Sequence, residues 1–286
     1  MSNFLTFERF YFSVDILFYI SKYAGFTFVV KYGGSTMKNK FLELSFIQDL
    51  CLLHLLGIKI ILVHGGGYLI NNWLRKLNIV PKFENGLRVT DANTMEVVEM
   101  VLSGKINKHL ISLFNQNNIP SVGLSGKDAN LITAIPINNN ANNCTGKVVN
   151  VNGQILNTLL DNQFFPVVAS VAPDLKGCTY NINADTLASY IASSVKVEKL
   201  ILLTDTPGLL YDINDELSVI KNLNLDQVND LKSKGIIQNG MIPKIDCCVH
   251  AIKNRVPAVH IIDGRLRYSL LYEVLTDDRN GSMLVC

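Results

Sequence analysis

Phe10, Val14, Leu17 and Phe18 recur at i, i+4, i+7 and i+8, the spacing of one helical face, and predict an amphipathic helix ahead of the first strand. Thr27-Phe28-Val29-Val30-Lys31 then reads as a buried strand ending at Gly33-Gly34, and a helical pattern over about 40–56 stops at Gly57. Lys59 to His64 repeats the unit, with Gly65-Gly66-Gly67 after the strand and a helix through Trp73. Two successive strand, glycine and helix units predict a parallel sheet with crossover helices. The middle third reads as more β-like: Gly86 to Thr90, Ser121 to Leu124, Leu131 to Ile135 and Gly146 to Val151 are short strands. Pro136 and Asn138-Asn139-Asn140 lie among them as turn residues, which suggests a hairpin-rich lid or edge. Alternation resumes with strand Pro166 to Ser170, helix Ala184 to Val195, strand Lys199 to Thr204, helices Leu225 to Lys234 and Met241 to Lys253, and strand Ala258 to Ile262. The expected class is α/β, with 1–24 as a leading helix, 25–195 as one lobe and 196–286 as a second.

Composition agrees with a parallel sheet buried on both faces: 48% of residues are hydrophobic and 17% charged, and mean hydropathy is +0.23. No apolar run reaches the roughly 18 residues of a spanning helix, so no membrane segment is expected. Glu8, Arg9 and Asp15 among aromatics fit neither a signal peptide nor a transit peptide. A net charge of +2 with dispersed Lys and Arg lacks a nucleic-acid footprint and favours a small-molecule partner. The six cysteines form no CxxC pair and no zinc spacing with the five histidines, so they read as reduced thiols and no protein metal site is expected.

Glycines at the carboxyl ends of strands let backbone N–H groups approach an anion, and the following helix N-terminus adds positive potential. Gly33-Gly34 and Gly65-Gly66-Gly67 therefore suggest phosphate or carboxylate cradles, although each also serves as an ordinary tight turn. Ile70 stands where GxGxxG needs its third glycine, and no GxxxxGK[ST] occurs, which weakens both the dehydrogenase and P-loop readings. Lys31 lies at a strand tip beside its glycines, while Lys244 lies near a helix start, where a cation opposes the dipole unless an anion is near. At another helix start Asn183 or Asp185 reads as a cap, or else Asn181 and Asp185 read as substrate and ammonium contacts. Asp205 follows a strand end, the place of a nucleotide contact or of an Asp-Thr-Pro-Gly turn. Arg88 offers a two-point carboxylate contact or a surface charge. No triad order or catalytic-cysteine signature appears, so a covalent mechanism is not expected.

Taken in order, Lys31-Tyr32-Gly33-Gly34, His64-Gly65-Gly66-Gly67, Gly86-Leu87-Arg88-Val89-Thr90, Asn181-Ile182-Asn183-Ala184-Asp185, Thr204-Asp205 and Gly240-Met241-Ile242-Pro243-Lys244 resemble the amino-acid kinase family over nearly the whole chain. The hairpin and Asn-Ile-Asn-Ala-Asp segments resemble its acetylglutamate branch. The resemblance implies a three-layer αβα sandwich around a mostly parallel sheet, and direct transfer of the ATP γ-phosphoryl to the side-chain carboxylate of N-acetyl-L-glutamate, a step of arginine biosynthesis. It implies that Lys31 and Lys244 neutralise the transferring phosphoryl and that Asp185 holds both lysines. Gly34, Gly65 and Gly66 would donate backbone N–H groups, and Arg88 and Asn181 would bind the acceptor. Asp205, Thr206, Gly208 and Leu209 would border ATP, whose phosphates carry Mg²⁺.

The same resemblance implies an oligomerising helix over Leu17-Phe18-Tyr19-Ile20, a hexamer built as a trimer of dimers, and an arginine effector site at Tyr19, His260 and Glu273. Tyr268 and Thr276-Asp277-Asp278-Arg279 depart from the pattern there, histidine and a glycine being usual. Cyanobacterial and plastid members bind the PII signalling protein. A chain rich in Asn, Ile and Lys suits a plastid-encoded gene, so the expected location is the plastid stroma, or otherwise the cytoplasm.

Overall fold

The computed structural model describes residues 14–84, 87–138, 142–238, 240–277 and 279–286. Phe10, Gly86, Asn139, Asn140 and Asp278 lie outside them. Helix α1 (Val14–Tyr23) precedes β1 (Thr27–Tyr32), α2 (Lys40–Leu55), β2 (Lys59–His64) and α3 (Gly67–Lys76). The hairpin β3 (Lys82–Glu84) and β4 (Leu87–Val89) leads to α4 (Ala92–Glu99) and α5 (Asn107–Gln116), joined by a π-helical stretch over Met100–Ile106. Then come β5 (Ser121–Leu124), β6 (Ile132–Pro136), β7 (Thr145–Val151), α6 (Gln154–Asp161), β8 (Phe165–Ala169), β9 (Val171–Pro173) and β10 (Thr179–Ile182). The rest comprises α7 (Ala184–Val195), β11 (Lys199–Thr204), β12 (Asn222–Leu223), α8 (Leu225–Ser233), α9 (Met241–Lys253), β13 (Ala258–Asp263), α10 (Ser269–Leu275) and β14 (Ser282–Val285).

Eight strands form the central sheet in the order β12-β14-β13-β11-β1-β2-β8-β5, parallel throughout except where β14 runs antiparallel to β13. Side chains of a strand alternate between faces, so β1 sends Phe28, Val30 and Tyr32 into one core and Val29 into the other. Ile60 and Leu62 of β2 join the first core, Ile61 and Val63 the second. The first face is covered by α1 to α5 and α10, the second by α6 to α9 and the small sheet β6-β7-β10-β9. Burial on both faces is why these strands read as unbroken apolar runs, and the result is the three-layer αβα sandwich.

The β-like middle third needs correction. Its four expected strands are β4 to β7, the first of them in the expected hairpin, but residues 92–116 between them are helical. Val97, Val98 and Val101 are β-branched and lean toward strand, but with Met95 and Leu102 they are buried against the sheet, and packing overrides the preference. The start signal lay in the chain, for Asp91 Oδ1 caps α4 by accepting from Thr94 N at 2.8 Å. Tyr180 to Ile182, read as the approach to a helix, belong to strand β10, which pairs with both β7 and β9.

Candidate active site

Three elements converge beyond the carboxyl ends of the central strands. Lys31 comes from β1, Asp185 from the first turn of α7, and Lys244 from the first turns of α9. Lys31 Nζ lies 3.0 Å from Asp185 Oδ1, and Lys244 Nζ lies 2.7 Å from Oδ2. Asn183 caps α7 by accepting from Thr186 N at 3.0 Å, so Asn183 is the cap while Asp185 is left to hold the lysines. Asp185 is also the anion that a cation at the start of α9 requires.

All three side chains are largely buried, which makes their charges matter. Burial alone would push the Asp185 carboxyl up, but Lys31 and Lys244 more than reverse this and hold it below the ordinary carboxylate range. Burial pulls Lys31 below its ordinary value against the attraction of Asp185, with Lys244 adding repulsion. At Lys244 burial acts the same way, but the carboxylate wins and the ammonium is raised. The cluster carries two cations and one anion, a net positive charge in a desolvated place.

On one side lies a cavity of about 170 Å³ lined by Gly65, Gly66, Phe83, Arg88, Ser170 and Asn181, among others. Gly66 precedes α3 without a side-chain cap, so the first N–H groups of that helix are available to an anion. Gly65 N donates to Tyr32 O at 3.2 Å, leaving the donors of this turn to begin at Gly66. Arg88 is 7% exposed, donates from Nη2 to Asn71 Oδ1 at 2.6 Å and Gly67 O at 3.3 Å, and stacks its guanidinium over Phe83. Its buried Nη1 has no partner, a donor held ready for a bound acceptor. Asn181 Nδ2 donates to Thr90 Oγ1 at 3.2 Å.

The other side holds a cavity of about 430 Å³ lined by Thr206, Gly208, Leu209, Tyr211, Gln238 and Met241, among others. Asp205 stands apart from this lining and packs its carboxylate against Gly34, whose φ of +71° is the left-handed conformation that suits glycine. Lys31 folds back over Gly33, 3.2 Å from where a Cβ would sit. Asp185 follows Asn183-Ala184 on the wall of the first cavity, and Lys244 is one turn from Met241 on the wall of the second. The ion cluster therefore adjoins lining residues of both cavities along the chain.

Sequence reasoning missed Ser170, Thr145 and Phe83 on the first side, and Tyr211, Gln238 and Met241 on the second. Ser170 was findable as the last residue of a predicted parallel strand. Tyr19, His260 and Glu273 lie elsewhere, under α1 at the amino end of β13. His260 Nδ1 and Glu273 Oε1 are 2.6 Å apart, Lys199 Nζ lies 3.0 Å from His260 Nε2, and Tyr19 OH donates to Asp277.

A buried cluster of net positive charge, with the uncapped start of α3 on the wall of a nearby cavity, is the equipment of a phosphoryl-transfer enzyme. Residues 26–263 match the amino acid kinase family, and the chain belongs to that family. It is 54% identical over 280 residues to the acetylglutamate kinase of Gracilaria tenuistipitata var. liui, covering 98% of each chain. It is 51% identical over 271 residues to the acetylglutamate kinase of Trichodesmium erythraeum, covering 95% of this chain and 93% of that one. Its place is thus among the acetylglutamate kinases, and it is a phosphotransferase. The fold also matches a Neisseria gonorrhoeae N-acetylglutamate synthase solved with coenzyme A and N-acetyl-glutamate. The TM-score is 0.84 at 22% identity, covering 96% of this chain and 62% of that one.

Proposed function

We propose that this chain transfers the γ-phosphoryl group of ATP directly to the side-chain carboxylate of N-acetyl-L-glutamate, giving the 5-acyl phosphate for arginine biosynthesis. The observation that carries the reading is the buried Lys31–Asp185–Lys244 cluster, in which one carboxylate holds two ammonium groups from different elements. An acceptor carboxylate in the smaller cavity pairs with Arg88 and Asn181 and receives N–H groups from the turn at Gly66, with Gly65 shaping that turn. Gly34 would face the phosphates with Asp205 beside it, and Thr206, Gly208 and Leu209, which line the larger cavity, would border the nucleotide. Lys31 then meets the transferring group from the acceptor side and Lys244 from the nucleotide side, and both offset the charge of the in-line transition state. Asp185 keeps the two ammonium groups apart and aimed. Among the described residues no cluster of three or more His, Cys, Asp or Glu is arranged for a metal, so Mg²⁺ would be held by nucleotide phosphates and water.

Supplying ATP with acetylglutamate, glutamate, aspartate, carbamate or UMP, and trapping acyl phosphate with hydroxylamine, tests the acceptor. Turnover confined to any acceptor other than acetylglutamate overturns the reading.

Arginine inhibition, a hexamer interlaced through α1, PII binding and a plastid location belong to the same proposal. The support for an effector site is that Tyr19 joins α1 to Asp277 beyond α10, above the Lys199–His260–Glu273 chain. Arginine at about 1 mM, an order-of-magnitude choice set by common metabolite affinities, should lower activity and change oligomer size. No change in either removes the regulatory part.

A further inference from the structure

The acceptor turn is held from below by two buried polar side chains that touch neither cavity. His64, the last residue of β2, is fully buried, and its Nδ1 lies 3.0 Å from Gly65 O. Asn107, the first residue of α5, is 1% exposed, and its Nδ2 lies 3.2 Å from His64 Nε2 and 2.9 Å from Val167 O. The carbonyl of Val167 accepts only, so the amide must turn its NH₂ this way. Its second hydrogen lies toward Nε2 at 3.2 Å, with Leu124 O farther off at 3.5 Å. The Gly65 carbonyl also accepts only, so the ring proton sits on Nδ1 and Nε2 is the acceptor. Burial pushes the imidazole down to about 4, against the pull of that carbonyl, and keeps it neutral as this arrangement requires.

Gly65 N donates to Tyr32 O, so both ends of this glycine are bonded. In a trans peptide the N–H points opposite the C=O. Drawing the Gly65 carbonyl toward His64 therefore turns the Gly66 N–H the other way, on the residue that lines the acceptor cavity. The π turn over Met100–Ile106 is what brings the amide here. It shifts the helix phase so that Asn107 faces His64, while Leu102 and Ile106 pack against the space above Gly66. A Cβ at Gly123 would strike Asn107 Oδ1, so a glycine on β5 completes the fit.

We infer that His64 and Asn107 are positioning residues, which set the orientation of the Gly65–Gly66 peptide and so the donor it offers the acceptor and transferring phosphoryl. The inference rests on the acceptor-side reading of the Gly66 turn given above.

Three variants test it: His64→Leu removes the ring hydrogen bonds, His64→Asn keeps a donor near the Nδ1 position, and Asn107→Asp removes the amide donor to Nε2. We expect His64→Leu and Asn107→Asp to raise the KM for the acceptor about tenfold or more and to lower kcat, as small misplacements at a reacting centre do. The KM for ATP should stay within about twofold, and His64→Asn should recover most of the loss. Nitrogen-15 NMR of the wild-type protein should show the Nδ1–H tautomer at His64, and Asn107→Asp should abolish it. A wild-type Nε2–H tautomer overturns the proposal, as does a folded His64→Leu variant with unchanged constants. So does an equal rise in both KM values with no rescue by His64→Asn, which is the mark of a merely structural role. The KM is read for whichever acceptor the wild type turns over, so the choice of acetylglutamate can fail while this test stands.

Discussion

At the scale of residues, the chemistry depends on one carboxylate serving two ammonium groups. Removing the Lys244 ammonium leaves Asp185 paired with Lys31 alone and takes one cation from the transferring phosphoryl. Lys244→Ala should lower kcat by about a hundredfold or more, with a smaller change in acceptor KM, read by steady-state kinetics. Asp185→Asn keeps the shape but leaves Lys31 and Lys244 without their shared carboxylate, with only the weaker field of Asp205 on Lys31. Burial already pulls Lys31 down, so its pKa should fall further and the activity profile should lose its alkaline side at lower pH than in the wild type. An unchanged pH–rate profile in that variant would contradict the shared-anion role. Lys31, Asp185, Lys244, Arg88 and Asn181 were all legible as residue types in suggestive places. The 3.0 and 2.7 Å contacts that make one cluster of three of them join positions 154 and 59 residues apart, which local pattern does not encode.

At the scale of elements, helix ends and one helix irregularity do the positioning. Gly66 has extended backbone, so its requirement for glycine comes from contact: a Cβ there would meet Ile106 Cδ1 and, at 2.8 Å, Leu102 Cδ2 from the π turn. Gly66→Ala should raise acceptor KM more than ATP KM, since only the smaller cavity is lined by that residue. The capping box of α8, in which Asn224 and Gln227 bond reciprocally at 2.9 Å, lies away from both cavities. Asn224→Ala should cost about 1 kcal/mol of stability with kcat/KM unchanged, measured by denaturant midpoint and assay. The strand, glycine and helix units were readable because apolar runs end at glycines. The π turn was not, because an extra residue in a helical ladder leaves no periodicity of its own at this length.

At the scale of the whole molecule, buried titrating groups in different layers set how stability follows pH. Burial pushes His64 and His260 down to about 4, whereas an unfolded imidazole titrates near 6.5. The unfolded chain therefore binds protons first, and stability falls as pH drops through that window, by on the order of 3 kcal/mol for each ring. Burial raises Asp49 to about 8, against the field of Arg267, so its neutral form is the one the fold accommodates. Its contribution is complete below the unfolded carboxyl value and is lost as pH rises toward 8, roughly 2 kcal/mol of it above pH 6.5. Denaturant midpoints should therefore peak near about pH 6.5, and Asp49→Asn should flatten the alkaline side. A midpoint that keeps rising to pH 8 in the wild type would refute the assignment. What the sequence alone determined was the αβα class, the glycine turns at strand ends and the family, because apolar periodicity and motif order are local or linear properties. Tertiary structure decided that residues 92–116 are helical and that Asp185 joins two lysines. It decided too that His64 and Asn107 meet beneath the Gly65–Gly66 peptide. Those outcomes depend on burial and on hydrogen-bond partners supplied by distant strands and helices, and these exist only once the sheet has closed around them.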